Sequence, residues 1–172
     1  MLTTSQVTTK VRFIADNNVG KLAKLLRMVG YDTLFFSQGH DNEMIRIALR
    51  ENRVILTKDT HVVKRQLVTS GKLKAILISQ EDPKAQLLEV VKTLNLNQLN
   101  PFSRCLECNQ LLIPRSKEEV QNLVPPYVFE TQEQYTQCQT CHRIYWRGTH
   151  WQTMVKELSD LSKSMQGNSP CY

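Results

Sequence analysis

The chain has 172 residues, a formal net charge of +6, 41% hydrophobic residues and 22% charged residues, which is the composition of a globular protein. No apolar run approaches the roughly 20 residues that a membrane-spanning helix needs, and residues 1–10 lack the apolar segment of a secretory signal. These features exclude a membrane-spanning helix, so we expect a cytoplasmic location and no membrane partner. In a reduced compartment, cysteine pairs indicate metal binding more often than disulfides.

The positive charge is concentrated in the first part of the chain. Residues 1–100 contain 15 Lys and Arg against 9 Asp and Glu, whereas residues 101–172 contain 7 of each. A basic surface attracts nucleic-acid phosphates, because binding releases the counterions condensed on them. The alternative interpretation is a basic face that is only solvated.

Short apolar strands alternate with amphipathic helices along residues 11–96. The hydrophobic pattern predicts strands at Val11–Ala15, Tyr31–Phe36, Arg53–Thr57 and Lys74–Ile78, and helices at Asn18–Val29, Asp41–Arg50, His61–Thr69 and Pro83–Leu94. Gly30 occupies the position that ends the first helix. This order predicts an α/β fold, with a parallel sheet flanked by helices on both faces.

The alternation stops at the Asn- and Pro-containing segment Asn95–Ser103. We therefore expect a first domain over residues 1–100 and a second, smaller domain over residues 101–160, which ends in a short helix. Residues 161–172 contain Gly, Ser and Pro and are predicted to form a flexible tail.

Four carboxylates follow predicted strands of the first domain. Asp16 follows the first strand and Asp59 the third, while Asp41 and Glu43 open the helix after the second strand. Ligands of parallel sheets bind at the carboxyl ends of the strands, so these side chains are expected at one edge. Clustered like charges favour a hard cation such as Mg²⁺ or Mn²⁺. The alternative for Asp41 and Asp59 is that each only caps a helix.

Two C-x-x-C pairs lie in the second domain, Cys105 with Cys108 and Cys138 with Cys141, separated by 29 residues. Each pair places two thiolates on one ion, and four thiolates complete a tetrahedral zinc site. Such a closed site is structural rather than catalytic, and an iron–sulfur cluster is the minor alternative. The pattern predicts a small β-rich zinc ribbon with an insertion between the pairs. Cys171 is unmatched and is not expected to be a ligand.

Several stretches resemble the PIN-like ribonuclease domain found at the C-terminus of the mutator exonuclease family, which also occurs as a stand-alone prokaryotic protein. They are Phe13–Asp16, Gly20–Thr33, Asp41–Glu43 and Arg53–Asp59. The resemblance extends over roughly residues 11–152 and includes the cysteine pairs. It implies a PIN-like fold, a Mg²⁺ or Mn²⁺ ion and RNA as the substrate.

The resemblance also implies catalytic residues. The acids of the family map onto Asp16, Asp41 and Asp59, with Glu43 as a second-rank member of the site. The Thr-Arg-Asp element of the family is Thr57-Lys58-Asp59 here, which keeps the charge but loses the planar guanidinium of arginine.

Basic and aromatic side chains are the predicted RNA contacts: Lys21, Arg27, Lys58, Tyr145, Trp146 and Arg147. Arginine and lysine hold phosphates, and aromatic rings stack on bases. The alternatives are that Arg27 is an ordinary surface arginine and that the aromatic residues pack inside the ribbon.

These observations predict a metal-dependent ribonuclease that hydrolyses RNA phosphodiester bonds and carries a structural zinc. A toxin-type PIN nuclease is an alternative within the same enzyme class. A catalytically idle module that binds RNA or docks on a protein is the alternative from another class.

Overall fold

The computed structural model describes residues 11–101, 103–149, 152, 153, 155 and 156. The predicted tail at residues 161–172, with Cys171, lies outside these described residues. Residues 11–100 are called the α/β unit below, and residues 103–149 the cysteine unit. In the part of the chain that the structure describes, no helix has the length and apolarity to cross a membrane.

The α/β unit alternates strands and helices in the predicted order. Its strands are β1 (Arg12–Asp16), β2 (Thr33–Phe36), β3 (Arg53–Thr57) and β4 (Ala75–Leu77). A 3-10 turn (Asn17–Val19) precedes α1 (Gly20–Met28), and α2 (Asp41–Glu51), α3 (Thr60–Val63), α4 (Gln66–Thr69) and α5 (Pro83–Thr93) follow. The predicted α/β class is confirmed.

The four strands form one parallel sheet in the order β2-β1-β3-β4. The chain moves from β1 to β2 on one side and then crosses to β3 on the other side. The strand order therefore reverses between β1 and β3. Crevices that bind ligands in open α/β sheets form at this reversal, outside the carboxyl ends of the strands.

Helices cover both faces of the sheet, as predicted. One core joins β1 and β3 to α1 and α5, and its fully buried members include Leu22, Leu26 and Val90. The other core lies under α2, α3 and α4, around Ile14, Met44 and Ile55. Burial on both faces explains the uninterrupted apolar run in the middle of β1 and of β3.

Several boundaries differ from the prediction, and three of the differences have local reasons. The predicted helix His61–Thr69 is divided into α3 and α4, because Arg65 adopts an extended conformation between them. Strand β2 begins at Thr33 rather than Tyr31, whose ring instead packs edge-on against Phe13. The N-cap of α2 is His40, so Asp41 is its first helical residue and not its cap.

The cysteine unit contains a second, antiparallel sheet of β5 (Leu112–Arg115), β6 (Tyr135–Cys138) and β7 (Ile144–Trp146). The insertion between the cysteine pairs forms α6 (Lys117–Val120) and α7 (Pro126–Thr131). A capping box between Ser116 and Glu119 starts α6. The buried core of this unit is small and consists of Val120, Val124 and Tyr135. Such a core is too small to hold the unit together by itself.

A polar junction joins the two units at the start of β2. The Asp32 carboxylate accepts hydrogen bonds from Arg53 Nη1 at 2.7 Å and from Asn109 Nδ2 at 2.8 Å. The Asn109 side-chain oxygen accepts the Thr33 N–H at 3.0 Å. Burial raises the pKa of Asp32, but the bonds from Arg53 and Asn109 outweigh it and hold the pKa below its usual value.

Replacing Asp32 with Ala should therefore destabilise the protein. Arg53 is almost fully buried, and losing a hydrogen bond to a charged partner there costs about 1.5–3 kcal/mol. Because the folded-state pKa is lowered, this contribution is present above pH 4, roughly, and is lost as the pH falls further. Urea unfolding of the wild type and Asp32→Ala at pH 7 and pH 3 measures both effects. Equal stabilities at pH 7 would show that the junction contributes nothing.

Candidate active site and metal centre

Asp16 is the last residue of β1 and lies at the point where the strand order reverses. Only 8% of the residue is exposed, and its carboxylate accepts hydrogen bonds from three donors. Oδ2 accepts the Thr57 hydroxyl at 2.6 Å and Asn18 Nδ2 at 2.9 Å, and Oδ1 accepts the Asn17 N–H at 2.7 Å. The bond to Asn17 also starts the 3-10 turn that leads into α1. The fold therefore presents a preorganised carboxylate at the expected edge.

Thr57 connects Asp16 to Asp59 across the two central strands. This threonine is fully buried at the end of β3, and its Oγ1 accepts the Asp59 N–H at 2.9 Å. The Asp59 side chain caps α3 by accepting the His61 N–H at 2.7 Å. Asn18 closes the network, because its Oδ1 accepts the Lys58 N–H at 3.1 Å.

Sequence reasoning did not place Thr57, Asn17 or Asn18 among the site residues. The available signal was positional: each is polar and stands at or directly after the end of a buried strand. Hydroxyl and amide groups there can orient a carboxylate without binding any ligand themselves.

The other two predicted acids lie in the first turn of α2. The Asp41 Oδ2 atom lies 3.7 Å from Nη2 of Arg65. Glu43 is exposed, and its Oε2 lies close to Gly39, 3.0 Å from the position that a Cβ on this glycine would take. Among the described residues, Asp16, Asp41 and Asp59 do not form a group whose ligand atoms all lie within 4.8 Å of one another. The donors fit a hard cation in kind, because all are oxygen. The three carboxylates are distributed along one edge of the sheet and do not converge on a single point.

A groove with a volume of about 1020 Å³ begins beside this network. It runs from Asn17 and Asn18 along α1 toward the cysteine unit. The predicted RNA contacts Lys21, Lys58 and Arg27 line it, together with Lys24, Glu81 and Glu107. The charged residues of its wall are therefore mainly basic, four cations against two acids.

Arg27 links the two units through hydrogen bonds to three backbone carbonyls. Its Nε donates to the Thr33 carbonyl at 2.8 Å, and its Nη1 donates to the carbonyls of Leu106 at 2.6 Å and Glu107 at 3.1 Å. Burial lowers the pKa of this guanidinium. The alternative of an ordinary surface arginine is wrong, because Arg27 is buried, and the sequence carried no sign of its partners. An RNA contact by Arg27 stays a prediction.

The four cysteines converge as the paired spacing predicts. All four Sγ atoms lie within 4.8 Å of one another, and Cys105 and Cys141 are 3.6 Å apart. A tetrahedral zinc with bonds of about 2.3 Å requires sulfurs roughly 3.8 Å apart, so the arrangement fits this metal. Burial raises the pKa of Cys105, but hydrogen bonds from Tyr145 and from backbone N–H groups outweigh it and lower the pKa to about 7. This environment favours the thiolate at Cys105, whereas hydrogen bonding to Cys141 and desolvation raise the pKa of Cys108. A bound cation would favour the thiolate at all four positions.

The predicted aromatic contacts lie inside or beside this centre. The Tyr145 hydroxyl is 3.1 Å from Cys105 Sγ and accepts the Leu106 N–H at 3.2 Å. Trp146 packs against the core of the cysteine unit, whereas Arg147 is exposed. Tyr145 and Trp146 thus have structural contacts, and their RNA contacts stay predictions.

In a comparison with known families, residues 11–158 match the model described as the Mut7-C RNAse domain. No curated protein and no solved structure matches the chain at a significant level. The matched range contains the whole parallel sheet, the Asp16 network and all four clustered cysteines. The match confirms the resemblance to this family and indicates a nuclease of the ribonuclease type. The chain belongs to the Mut7-C RNAse domain family.

Proposed function

We propose that this protein is a metal-dependent ribonuclease that hydrolyses phosphodiester bonds of RNA at the carboxyl edge of its parallel sheet. The observation that carries the proposal is the network of Asp16, Thr57 and Asp59, which joins two strand-end acids where the strand order reverses. Membership of a ribonuclease family supports this chemistry.

In the proposed site, Asp16, Asp41 and Asp59 would hold Mg²⁺ or Mn²⁺, with Glu43 nearby. When bound, such an ion lowers the pKa of a water and stabilises the leaving oxygen of a phosphodiester. Thr57 and Asn18 hold the Asp16 carboxylate in one orientation, which spares the site a reorganisation during the reaction. Asp41 would have to leave Arg65, a contact at 3.7 Å that is exposed and therefore weak.

The basic groove gives the substrate a path to this edge. Lys21 and Lys58 line it close to Asn17 and Asn18, and a positive wall attracts the RNA backbone whatever its sequence. The four cysteines would hold a structural zinc, because a closed shell of four thiolates leaves no position for substrate.

A digestion of mixed RNA and DNA by the purified protein tests the proposal. We expect RNA to be cleaved with Mg²⁺ or Mn²⁺, and no cleavage after brief EDTA treatment that leaves the zinc content unchanged. Adding Mg²⁺ or Mn²⁺ back should restore the activity. Binding of RNA without cleavage under any of these conditions would favour the idle binding module, and metal-independent cleavage would contradict the proposed mechanism.

A further inference from the structure

Glu107 holds two cations from different units with one carboxylate oxygen. Its Oε1 lies 2.7 Å from Nζ of Lys24 on α1 and 3.2 Å from Nη1 of Arg143, which follows the second cysteine pair. All three side chains reach solvent, with exposed fractions of 37% for Glu107, 52% for Lys24 and 60% for Arg143. A negatively charged oxygen thus occupies the space between two converging cations.

The contact is placed so that another anion can replace the carboxylate. Exposed ion pairs contribute little to stability, typically about 0–1 kcal/mol, because both partners are well solvated. Lys24 and Glu107 both line the groove that begins at Asn17 and Asn18. An RNA backbone that follows the groove away from the acidic edge therefore reaches Lys24.

We propose that Lys24 and Arg143 form a binding site for a phosphate of the RNA backbone. In the free protein, the Glu107 carboxylate occupies this site, and RNA must displace it in order to bind. This inference rests on the proposed ribonuclease function and adds a substrate-positioning site to it. The ligand is a phosphodiester group of the RNA, recognised by charge and not by base.

The position of Arg27 makes such a site possible across two units. Its partly buried hydrogen bonds to the carbonyls of Leu106 and Glu107 hold the first cysteine pair against α1. Asn109 makes a second attachment through Asp32 and Thr33. These contacts hold the first cysteine pair, and Glu107 within it, beside the helix that carries Lys24.

The rest of the groove indicates the direction of the RNA. Lys21 and Lys24 are three residues apart on α1 and so lie on the same helix face. At the acidic edge, Lys58 is paired with Glu81 at 2.6 Å, in the same manner as Lys24 with Glu107. The RNA backbone would then run from Lys58 past Lys21 to Lys24 and Arg143. The cysteine unit then provides one end of the substrate path.

The test is the affinity of Glu107→Gln for a single-stranded oligoribonucleotide, measured as a function of salt with no divalent cation added. Removing the competing charge should steepen the slope of log affinity against log salt by about 0.7, the contribution of one phosphate. If the variant and the wild type bind equally at 1 M salt, this change in slope corresponds to about eightfold tighter binding by the variant at 50 mM salt. The matched control is Glu133→Gln, which removes an exposed acid paired with Lys117 in the same unit and should change the affinity less than twofold.

The gain must also depend on the two cations. In a Lys24→Ala/Arg143→Ala background, Glu107→Gln should change the affinity less than twofold. Equal gains from Glu107→Gln and Glu133→Gln, or a gain that persists without the cations, would overturn the proposal. If Glu107→Gln lowers the zinc content, Arg143→Ala replaces it as the test: weaker binding is expected, and unchanged affinity would overturn the site.

The outcomes separate this inference from the proposed function. A wild-type protein that neither binds nor cleaves RNA would reject both. A wild-type protein that cleaves RNA, with a Glu107→Gln variant of unchanged affinity and full zinc content, would reject only the phosphate site.

Discussion

Asp59→Asn should reduce RNA cleavage by at least about a thousandfold. A catalytic metal supplies several kcal/mol of transition-state stabilisation, and each 1.36 kcal/mol corresponds to a factor of ten in rate. The fold should be kept, because Asp59 caps α3 by accepting the His61 N–H and asparagine is an equally good cap. Removing one of several neighbouring carboxylates also relieves repulsion, so the stability should hold or rise.

Asp82→Asn is the matched control for this variant. Asp82 caps α5 by accepting the N–H groups of Lys84 and Ala85, so the same change of residue occurs at the same kind of position. Single-turnover cleavage rates and thermal unfolding should be measured for both. Wild-type rates for Asp59→Asn would place the chemistry elsewhere, and equal losses in both variants would point to a general effect of the substitution.

Cys138→Ser should remove the zinc and unfold the cysteine unit. Cys138 is fully buried at the end of β6, and the buried core of this unit has only three members. Binding of structural zinc contributes about 10–16 kcal/mol in comparable small modules, far more than so small a core. Elemental analysis should find one zinc per wild-type chain and less than one in the variant, with loss of β-sheet signal in circular dichroism.

Cys171→Ser is the control, because the sequence predicts that this fifth thiol is not a ligand. It should keep one zinc per chain and the wild-type unfolding temperature. A wild-type protein without stoichiometric zinc would contradict the assignment of the metal, and an equal loss of metal in both variants would contradict the assignment of the ligands.

Local patterns were sufficient wherever one physical constraint acts along the chain. Burial on both faces of the sheet makes β1 and β3 continuously apolar, so their positions could be predicted to within one residue. The spacing of the cysteine pairs is a local geometric requirement of the metal, and the structure brings the four sulfurs together as predicted. Asp16 could be placed at the carboxyl edge of the sheet because a parallel sheet aligns the ends of its strands.

Contacts between distant segments could not be predicted in this way. The sequence indicates that Arg27 lies at the edge of an apolar helix stripe, but its partners are backbone carbonyls 79 and 80 residues away. Tyr145 is aromatic and has basic neighbours, a pattern typical of base stacking, yet its hydroxyl contacts Cys105. Every residue carries a backbone carbonyl, so a contact with one leaves no trace in the residue pattern, and the pattern likewise does not indicate which distant group the Tyr145 hydroxyl meets.

The sequence by itself therefore determined the α/β class, the strand-end acids and the four-cysteine cluster, since each follows from periodicity, strand polarity or ligand spacing. Only the tertiary structure decided that Thr57 joins Asp16 to Asp59, and that Glu107 lies between Lys24 and Arg143. These contacts depend on the crossing of β3 beside β1 and on the docking of the cysteine unit against α1. Both are set by the packing of whole elements, which no single stretch of sequence specifies.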